Sequence, residues 1–461
     1  MSLRRLVSTL SITAAALAAA PAAAQGDVAR YQAAADSLIR AATADSAAWE
    51  RIAELVDRFG PRFSGTPELE RAIDWILQEM QADGLENVHA EPVMVPRWVR
   101  GRESATLLAP REVELHMLGL GGSIGTPAEG IEAPVLVVGS FDELQRRAAE
   151  ARGRIVLFDV PFTSYGETVQ YRGTGAIAAA RAGAVASLIR SVGPFGMQTP
   201  HTGGMRYADS VRQIPAAALS MEDAMMLRRM QERGETPRIR LRMEAQTLPD
   251  VPSRNVIAEI RGRELPDEVI VIGGHIDSWD VAPGAMDDAG GCVAAWEAIR
   301  LMKILGLRPR RTVRVVLWTN EENGLRGATA YRDAHRAEVA NHVLAIESDA
   351  GVFAPRGFGF TGPDAAFEVV RQVGRLLAPI GADSITRGGG GADIGPIMQL
   401  GVPGMGLTVE GSRYFWYHHT AADTPDKLDP ADVGKSVAAM AVMAYVIAEM
   451  PERIQFGTPA P

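Results

Sequence analysis

The chain has 461 residues, of which 47% are hydrophobic and 22% charged, and its formal net charge is −9. This length suffices for two domains with full hydrophobic cores, and the composition is that of a globular protein. The acidic balance, with no long basic run, argues against nucleic acid as a partner. Cys292 is the single cysteine, which excludes an intrachain disulfide, and it is expected to be a core residue.

The first 24 residues have the pattern of a secretory signal peptide. Arg4 and Arg5 give a positive start, residues 6–19 are mostly apolar, and residues 22–24 give an A-x-A cleavage pattern before Gln25. We therefore expect an exported protein, periplasmic or extracellular, with no membrane anchor after cleavage. Loss of the two arginines changes the net charge from −9 to −11. A membrane anchor is the weaker alternative, because the apolar run is short and interrupted by Ser and Thr.

The rest of the chain divides into four parts. Residues 25–45 are an Ala-rich leader, helical or loose, and residues 46–118 open a catalytic domain with two amphipathic helices, the second ended by Gly84. The sequence pattern changes over residues 119–245, which are interpreted as an inserted domain. They contain short apolar strands at 134–138, 155–158 and 186–189 and a small-residue helix at 174–183.

Residues 246–461 are expected to complete the catalytic domain. Apolar runs that predict strands alternate here with a predicted helix, at 269–272, 289–305, 312–318 and 342–346. Such alternation is typical of an α/β domain built around a largely parallel sheet flanked by helices.

Residue types that bind metals follow three of these strands. His275, the pair Glu321-Glu322, and Asp349 each come just past a strand end, where ligands bind in open α/β sheets. Asp287 precedes the predicted helix, where main-chain N–H groups favour an anion. His419 follows later in the chain.

Two histidines and three carboxylates can hold two zinc ions if one carboxylate bridges them. Asp287 is the expected bridge. His275 and Asp349 would complete one metal site, and Glu322 and His419 the other.

Two further acids are assigned catalytic roles. Glu321 lies beside a proposed ligand and is expected to act as general base and then general acid. Asp277 is expected to hold the second nitrogen of the His275 imidazole. Taken singly, such residues are more often structural, and only the joint pattern favours a metal site.

Three further features of the sequence carry weaker signals. His418 is an ambiguous neighbour of His419, and the other histidines lack a comparable context. Gly388–Gly391 lacks the Lys-Ser/Thr of a phosphate loop and is expected to form a flexible turn.

The motifs HID at 275–277, PGAMDD at 283–288, EENGLRGA at 321–328 and HTAADT at 419–424 resemble the co-catalytic zinc aminopeptidase and glutamate carboxypeptidase family. The likeness extends to residues 55–65, 81–93, 347–351 and 414–419, and so covers nearly all the mature chain.

The resemblance implies the five ligand roles and the role of Glu321 given above, a cis peptide between Asp287 and Asp288, and a protease-associated-like inserted domain. It also implies a homodimer. Basic residues that would select a glutamate side chain are not evident, with Arg387 and Arg413 as candidates only.

We therefore expect an exported two-zinc exopeptidase that hydrolyses dipeptides or short peptides at a free amino terminus. A carboxypeptidase or an N-acyl amino acid deacylase using the same metals is the enzymatic alternative. Two hypotheses without a peptidase role stay open: a binding protein that has lost activity, and an interaction module carried by the middle segment.

Overall fold

The computed structural model describes residues 28–457, so the expected signal peptide lies outside the described residues. Within them, sixteen strands form two eight-stranded sheets. The strands are β1 (Glu86–Val99), β2 (Glu103–Ala109), β3 (Val113–Leu115), β4 (Met117–Gly119), β5 (Ile131–Val138), β6 (Ile155–Phe158), β7 (Ala186–Arg190), β8 (Ala216–Leu219), β9 (Arg238–Met243), β10 (Gln246–Ile260), β11 (Leu265–His275), β12 (Arg311–Trp318), β13 (His342–Glu347), β14 (Pro355–Thr361), β15 (Ser384–Arg387) and β16 (Gly404–Val409).

The first sheet has the order β1-β10-β12-β11-β13-β16-β14-β15. Its four central strands, β12, β11, β13 and β16, pair in parallel, whereas β1, β10 and β14 add antiparallel pairings. The central strands are buried on both faces and therefore carry nearly continuous apolar runs. The expected α/β fold with a largely parallel sheet is confirmed.

Helices cover this sheet and the second one. They are α1 (Gln32–Ala42), α2 (Ala47–Phe59), α3 (Pro67–Ala82), α4 (Phe141–Arg146), α5 (Ala148–Ala151), α6 (Tyr165–Arg181), α7 (Met221–Glu232), α8 (Gly290–Ile304), α9 (Arg326–Ala334), α10 (Asp364–Gly374), α11 (Gly395–Met398), α12 (Tyr414–Tyr417) and α13 (Pro430–Glu449).

Helix α13 is apolar nearly all round because it is enclosed by the core. Among the described residues it is the one helix long and apolar enough to cross a membrane, but 83% of its most apolar window is buried inside the protein. Helices α1 and α8 pack against it, and Leu38 of α1 is fully buried. The described part of the Ala-rich leader is therefore largely helical, and its buried side chains belong to the core of the first sheet.

The second sheet has the order β3-β2-β9-β5-β6-β7-β8-β4. Alternate residues of its parallel strands enter two separate apolar clusters, as the two-residue repeat of a strand requires. Val135 and Val137 belong to one cluster, and Leu136 and Val138 to the other.

The helix expected at 174–183 is longer than the sequence indicated. Helix α6 begins at Tyr165, where Ser164 caps it by accepting a hydrogen bond from the Glu167 N–H. The first half of this helix contains Gly166 and Gly173, which lower helix propensity and hid it from sequence analysis.

Candidate metal centre

Strand β11 places His275 at the carboxyl edge of the first sheet. The preceding Gly274 leaves room for a carboxylate, since a Cβ there would lie 2.2 Å from Oδ2 of Asp288. His275 is buried, and its Nδ1 lies 2.9 Å from the main-chain carbonyl oxygen of Asp277. A carbonyl only accepts hydrogen bonds, so Nδ1 carries the proton and Nε2 is the nitrogen available to a metal.

Asp287 lies between the two histidines. Its Oδ1 is 3.2 Å from Nε2 of His275, and its Oδ2 is 3.4 Å from Nε2 of His419. The peptide bond from Asp287 to Asp288 is cis, as the resemblance implied. Each carboxylate oxygen of Asp287 therefore faces a different imidazole, which is the arrangement that a bridging ligand needs.

The other two carboxylates lie on either side of this pair. Oδ1 of Asp349 is 3.5 Å from Nε2 of His275, and Oε2 of Glu322 is 3.1 Å from Nε2 of His419. Among the described residues, Oε1 of Glu322 has no hydrogen-bond partner although it is buried. The five residues expected to bind metal are thus brought together, in the two groups that the sequence suggested.

Asp277 acts differently from the expectation. Its main-chain oxygen, rather than its carboxylate, contacts the imidazole of His275, because the nearest carboxylate oxygen is 3.9 Å from Nδ1. The carboxylate instead accepts hydrogen bonds from the main-chain N–H groups of Glu321 and Glu322, at 3.0 and 3.3 Å. Asp277 therefore fixes the turn after β12.

Glu321 belongs to this turn and lies near the charged groups of the site. Burial raises the pKa of Glu321 to about 8, and the nearby carboxylates of Asp349, Asp277 and Asp287 add to the shift against the opposing effect of His275. An acid in this setting can exchange a proton near neutral pH, as a general acid/base requires.

The electrostatics of the site fit divalent cations. Burial raises the pKa of Asp287, and it raises the pKa of Glu322 well above the ordinary value, with neighbouring carboxylates contributing to both. Burial lowers the pKa of His419 well below its usual value, so its imidazole is neutral and able to bind metal. Clustered buried acids beside imidazoles are the donors that zinc selects, and cations would compensate the charge of the acids.

His418 stays an alternative to His419. The two rings stack with centroids 3.6 Å apart, and Nε2 of His418 is 3.6 Å from Oδ2 of Asp287. Of these two histidines, only His419 also forms an ion pair with Glu322 within the described residues. His342, which sequence analysis set aside, forms a hydrogen bond with Tyr331 instead.

Sequence analysis missed two residues that hold the site together. Asp423 accepts hydrogen bonds from the main-chain N–H groups of Met286 and Asp287, at 2.7 and 3.1 Å. Arg62 is fully buried and donates to the carbonyl oxygens of residues 276, 283 and 284. Both lie inside motifs that carry the resemblance, so a signal was present. Arg62 is not a zinc-binding residue type, and Asp423, although it is one, makes main-chain contacts that the sequence does not show.

The proposed glutamate-selecting arginines are engaged elsewhere. Arg387 pairs with Asp364 at 2.7 Å, and Arg413 lies over the Phe353 ring at 5.4 Å. The glycine run approaches β13, since a Cβ on Gly391 would lie 2.0 Å from Cδ of Glu347. Its glycines thus allow close packing beside the site.

Fold and site together define a class: an α/β metallohydrolase whose clustered ligands lie at the carboxyl edge of a parallel sheet. Residues 255–444 match the model of peptidase family M28. The chain is 50% identical to carboxypeptidase Q of Homo sapiens over 411 residues, covering 89% of this chain and 87% of that protein. It is 48% identical to carboxypeptidase Q of Mus musculus, covering 93% and 92%.

A solved structure agrees with these relatives. The peptidase M28 precursor from Shewanella amazonensis SB2B superimposes with a TM-score of 0.90 at 36% identity, covering 94% of this chain and 99% of that one. A zinc aminopeptidase from Bacillus subtilis shares the fold, with a TM-score of 0.65 at 20% identity. The chain belongs to peptidase family M28, and it is a metallopeptidase that hydrolyses peptide bonds.

Proposed function

We propose that the chain is an exported two-zinc exopeptidase that cleaves dipeptides or short peptides at a free amino terminus. The observation that carries the proposal is the position of Asp287, whose two carboxylate oxygens face His275 and His419 from opposite sides. His275 and Asp349 would complete one zinc site, and Glu322 and His419 the other.

The two ions would lower the pKa of bound water and polarise the scissile carbonyl. Glu321 takes a proton from the attacking water as the oxygen–carbon bond forms. The carbon–nitrogen bond then breaks, and Glu321 returns the proton to the leaving amine. Asp277 keeps Glu321 in place through the hydrogen bond to its main-chain N–H.

A substitution tests the role of Glu321. Glu321→Gln keeps the size of the side chain but cannot accept the proton, so we expect zinc to stay bound and kcat to fall roughly 10²–10⁴-fold. Metal content and kcat are measured on the chain from residue 25, with Glu368→Gln as the matched control, since Glu368 is exposed and pairs only with Arg371 in the described structure. Near-normal turnover in the Glu321 variant would remove its assigned role.

The carboxypeptidase activity in the names of the two mammalian relatives favours a second candidate, release of a carboxyl-terminal residue. Amine release from free and N-acetylated dipeptides, before and after chelation and zinc addition, separates the candidates. Cleavage of free dipeptides that zinc restores supports the aminodipeptidase. Cleavage of blocked substrates alone supports a carboxypeptidase or an N-acyl amino acid deacylase. Two bound metals without turnover would support a binding protein.

The remaining proposals concern organisation. We propose that residues 119–245 are an inserted protease-associated-like domain, because most strands of the second sheet come from that segment. Export and a homodimer are proposed from the sequence pattern and the resemblance. Amino-terminal sequencing of the exported protein should begin at Gln25, and light scattering should give twice the chain mass.

A further inference from the structure

Two residues beside the second sheet reach the proposed metal ligand His419. The main-chain N–H of Thr202 donates to the carbonyl oxygen of His419 at 2.9 Å. In the other direction, Nδ1 of His419 lies 3.4 Å from the carbonyl oxygen of Thr202. The backbone of His419 has φ +60°, which is rare for a residue with a side chain, so this residue needs such support from outside its own segment.

Arg172, in the middle of α6, shares the same carbonyl. Its Nη1 lies 3.4 Å from the Thr202 oxygen and 3.4 Å from Nδ1 of His419, and its Nη2 donates to the Tyr165 hydroxyl at 2.7 Å. The guanidinium lies flat against Gly203, where a Cβ would be 2.4 Å from Cζ. Any side chain at position 203 would displace it.

Burying the Arg172 side chain in this position costs folding free energy. The side chain is buried, no carboxylate of the described residues pairs with it, and its Nε has no hydrogen-bond partner there. A buried cation without a counter-ion opposes folding unless its donors do something specific. The specific interaction here is with the carbonyl that orients a metal ligand.

We propose that Arg172 is a positioning residue for His419, an inference that rests on the proposed metal site. The imidazole Nδ1–H and the guanidinium donate to the two lone pairs of one carbonyl oxygen, that of Thr202. This fixes the orientation of the carbonyl and hence of the ring, so that Nε2 of His419 points toward Glu322 and Asp287. A segment remote in sequence from every proposed ligand therefore determines how well one of the two zinc ions is held.

The test is metal affinity in Arg172→Met, which keeps the apolar stem and removes the donors. Loss of a contact that orients a ligand typically costs 10–100-fold in metal affinity. We expect one of two zinc equivalents to weaken by about that factor in chelator competition, with the other unchanged. The visible spectrum of the Co²⁺-substituted protein should change as well, because one ion would lose its fixed ligand orientation.

The matched control is Arg228→Met, which removes an arginine of helix α7 that pairs with the buried Asp159. Its metal affinity should equal that of the wild type. Tyr165→Phe removes only the hydroxyl that accepts from Nη2, while the ring can keep its stacking on Phe415 at 4.9 Å. It should weaken the same zinc equivalent by a smaller factor.

Three outcomes decide the matter. If Arg172→Met binds both zinc equivalents normally but kcat/KM falls, Arg172 acts on the substrate and the positioning role is wrong. If Arg172→Met does not fold, Tyr165→Phe replaces it, because it removes only the acceptor of Nη2, and normal affinity there with an unchanged Co²⁺ spectrum would equally overturn the proposal. If the wild type binds fewer than two metals, the proposed two-zinc function fails instead.

Discussion

A buried histidine far from the metal centre should make the stability of the first sheet depend on pH. His342 begins β13, and its Nε2 lies 2.9 Å from the hydroxyl of Tyr331. That hydroxyl accepts a hydrogen bond from Arg314 at 3.1 Å, so it donates to an unprotonated Nε2. A proton on Nε2 would break this chain of hydrogen bonds and place a second cation near Arg314.

The size of the stability change on acidification follows from the pKa shift of His342. Burial, followed by the charge of Arg314, lowers the pKa of His342 from 6.5 to about 4. Since the folded-state pKa is below the unfolded value, the contribution of His342 is complete above pH 6.5 and is lost as the pH falls toward 4. One pKa unit corresponds to about 1.4 kcal/mol, so about 2 kcal/mol should be lost between pH 8 and pH 5.

The assay compares urea unfolding of the metal-free wild type and His342→Gln at these two pH values. Glutamine can accept from Tyr331 but does not titrate, so the variant should lose about 2 kcal/mol less than the wild type on acidification. Removing metal first prevents metal release from adding to the pH effect. His89→Gln, at a half-buried histidine outside this chain of hydrogen bonds, should behave as the wild type. Equal pH dependence in the wild type and His342→Gln would refute the reasoning.

Two further predictions concern the metal centre. Asp277→Asn replaces one acceptor oxygen by a donor that would face a main-chain N–H of the Glu321-Glu322 turn, so kcat should fall at least tenfold and the free energy of unfolding should fall by about 1–3 kcal/mol. An unchanged kcat would show that the carboxylate of Asp277 is not needed to position Glu321. Chelation leaves the buried carboxylates of Asp287 and Glu322 without cations, so the melting temperature should fall and should recover with zinc. At a zinc concentration of 100 times Kd the stabilisation is about 2.7 kcal/mol per site, and a melting temperature indifferent to chelation would contradict the assignment.

The sequence predicted the first sheet well because its signals are strong and local. Strands β11, β12 and β13 are apolar runs followed at once by polar, metal-binding residue types. Parallel strands bring their carboxyl ends to one edge, so residues distant in the sequence could be placed together without coordinates. The five proposed ligands do meet there.

Contacts made by main-chain atoms could not be predicted from the sequence. The partner of the His275 imidazole is a carbonyl oxygen, and any residue type supplies one. The same holds for Thr202, whose side chain is unrelated to its contact with His419. Asp423 has a residue type that can bind metal, but its carboxylate accepts from N–H groups instead, and the sequence does not distinguish these two roles.

These contacts change how the middle segment must be tested. The hypothesis that this segment is an interaction module suggests deleting residues from about 120 to 245 and asking whether peptidase activity survives. Such a deletion would remove Thr202 and Arg172 from His419, and it would expose Trp279, which packs in the apolar cluster of the second sheet. Loss of activity would then follow from a damaged metal site whether or not the segment also binds a partner. Point variants at Arg172, judged by metal affinity, separate the two roles because they leave the surface of the segment intact.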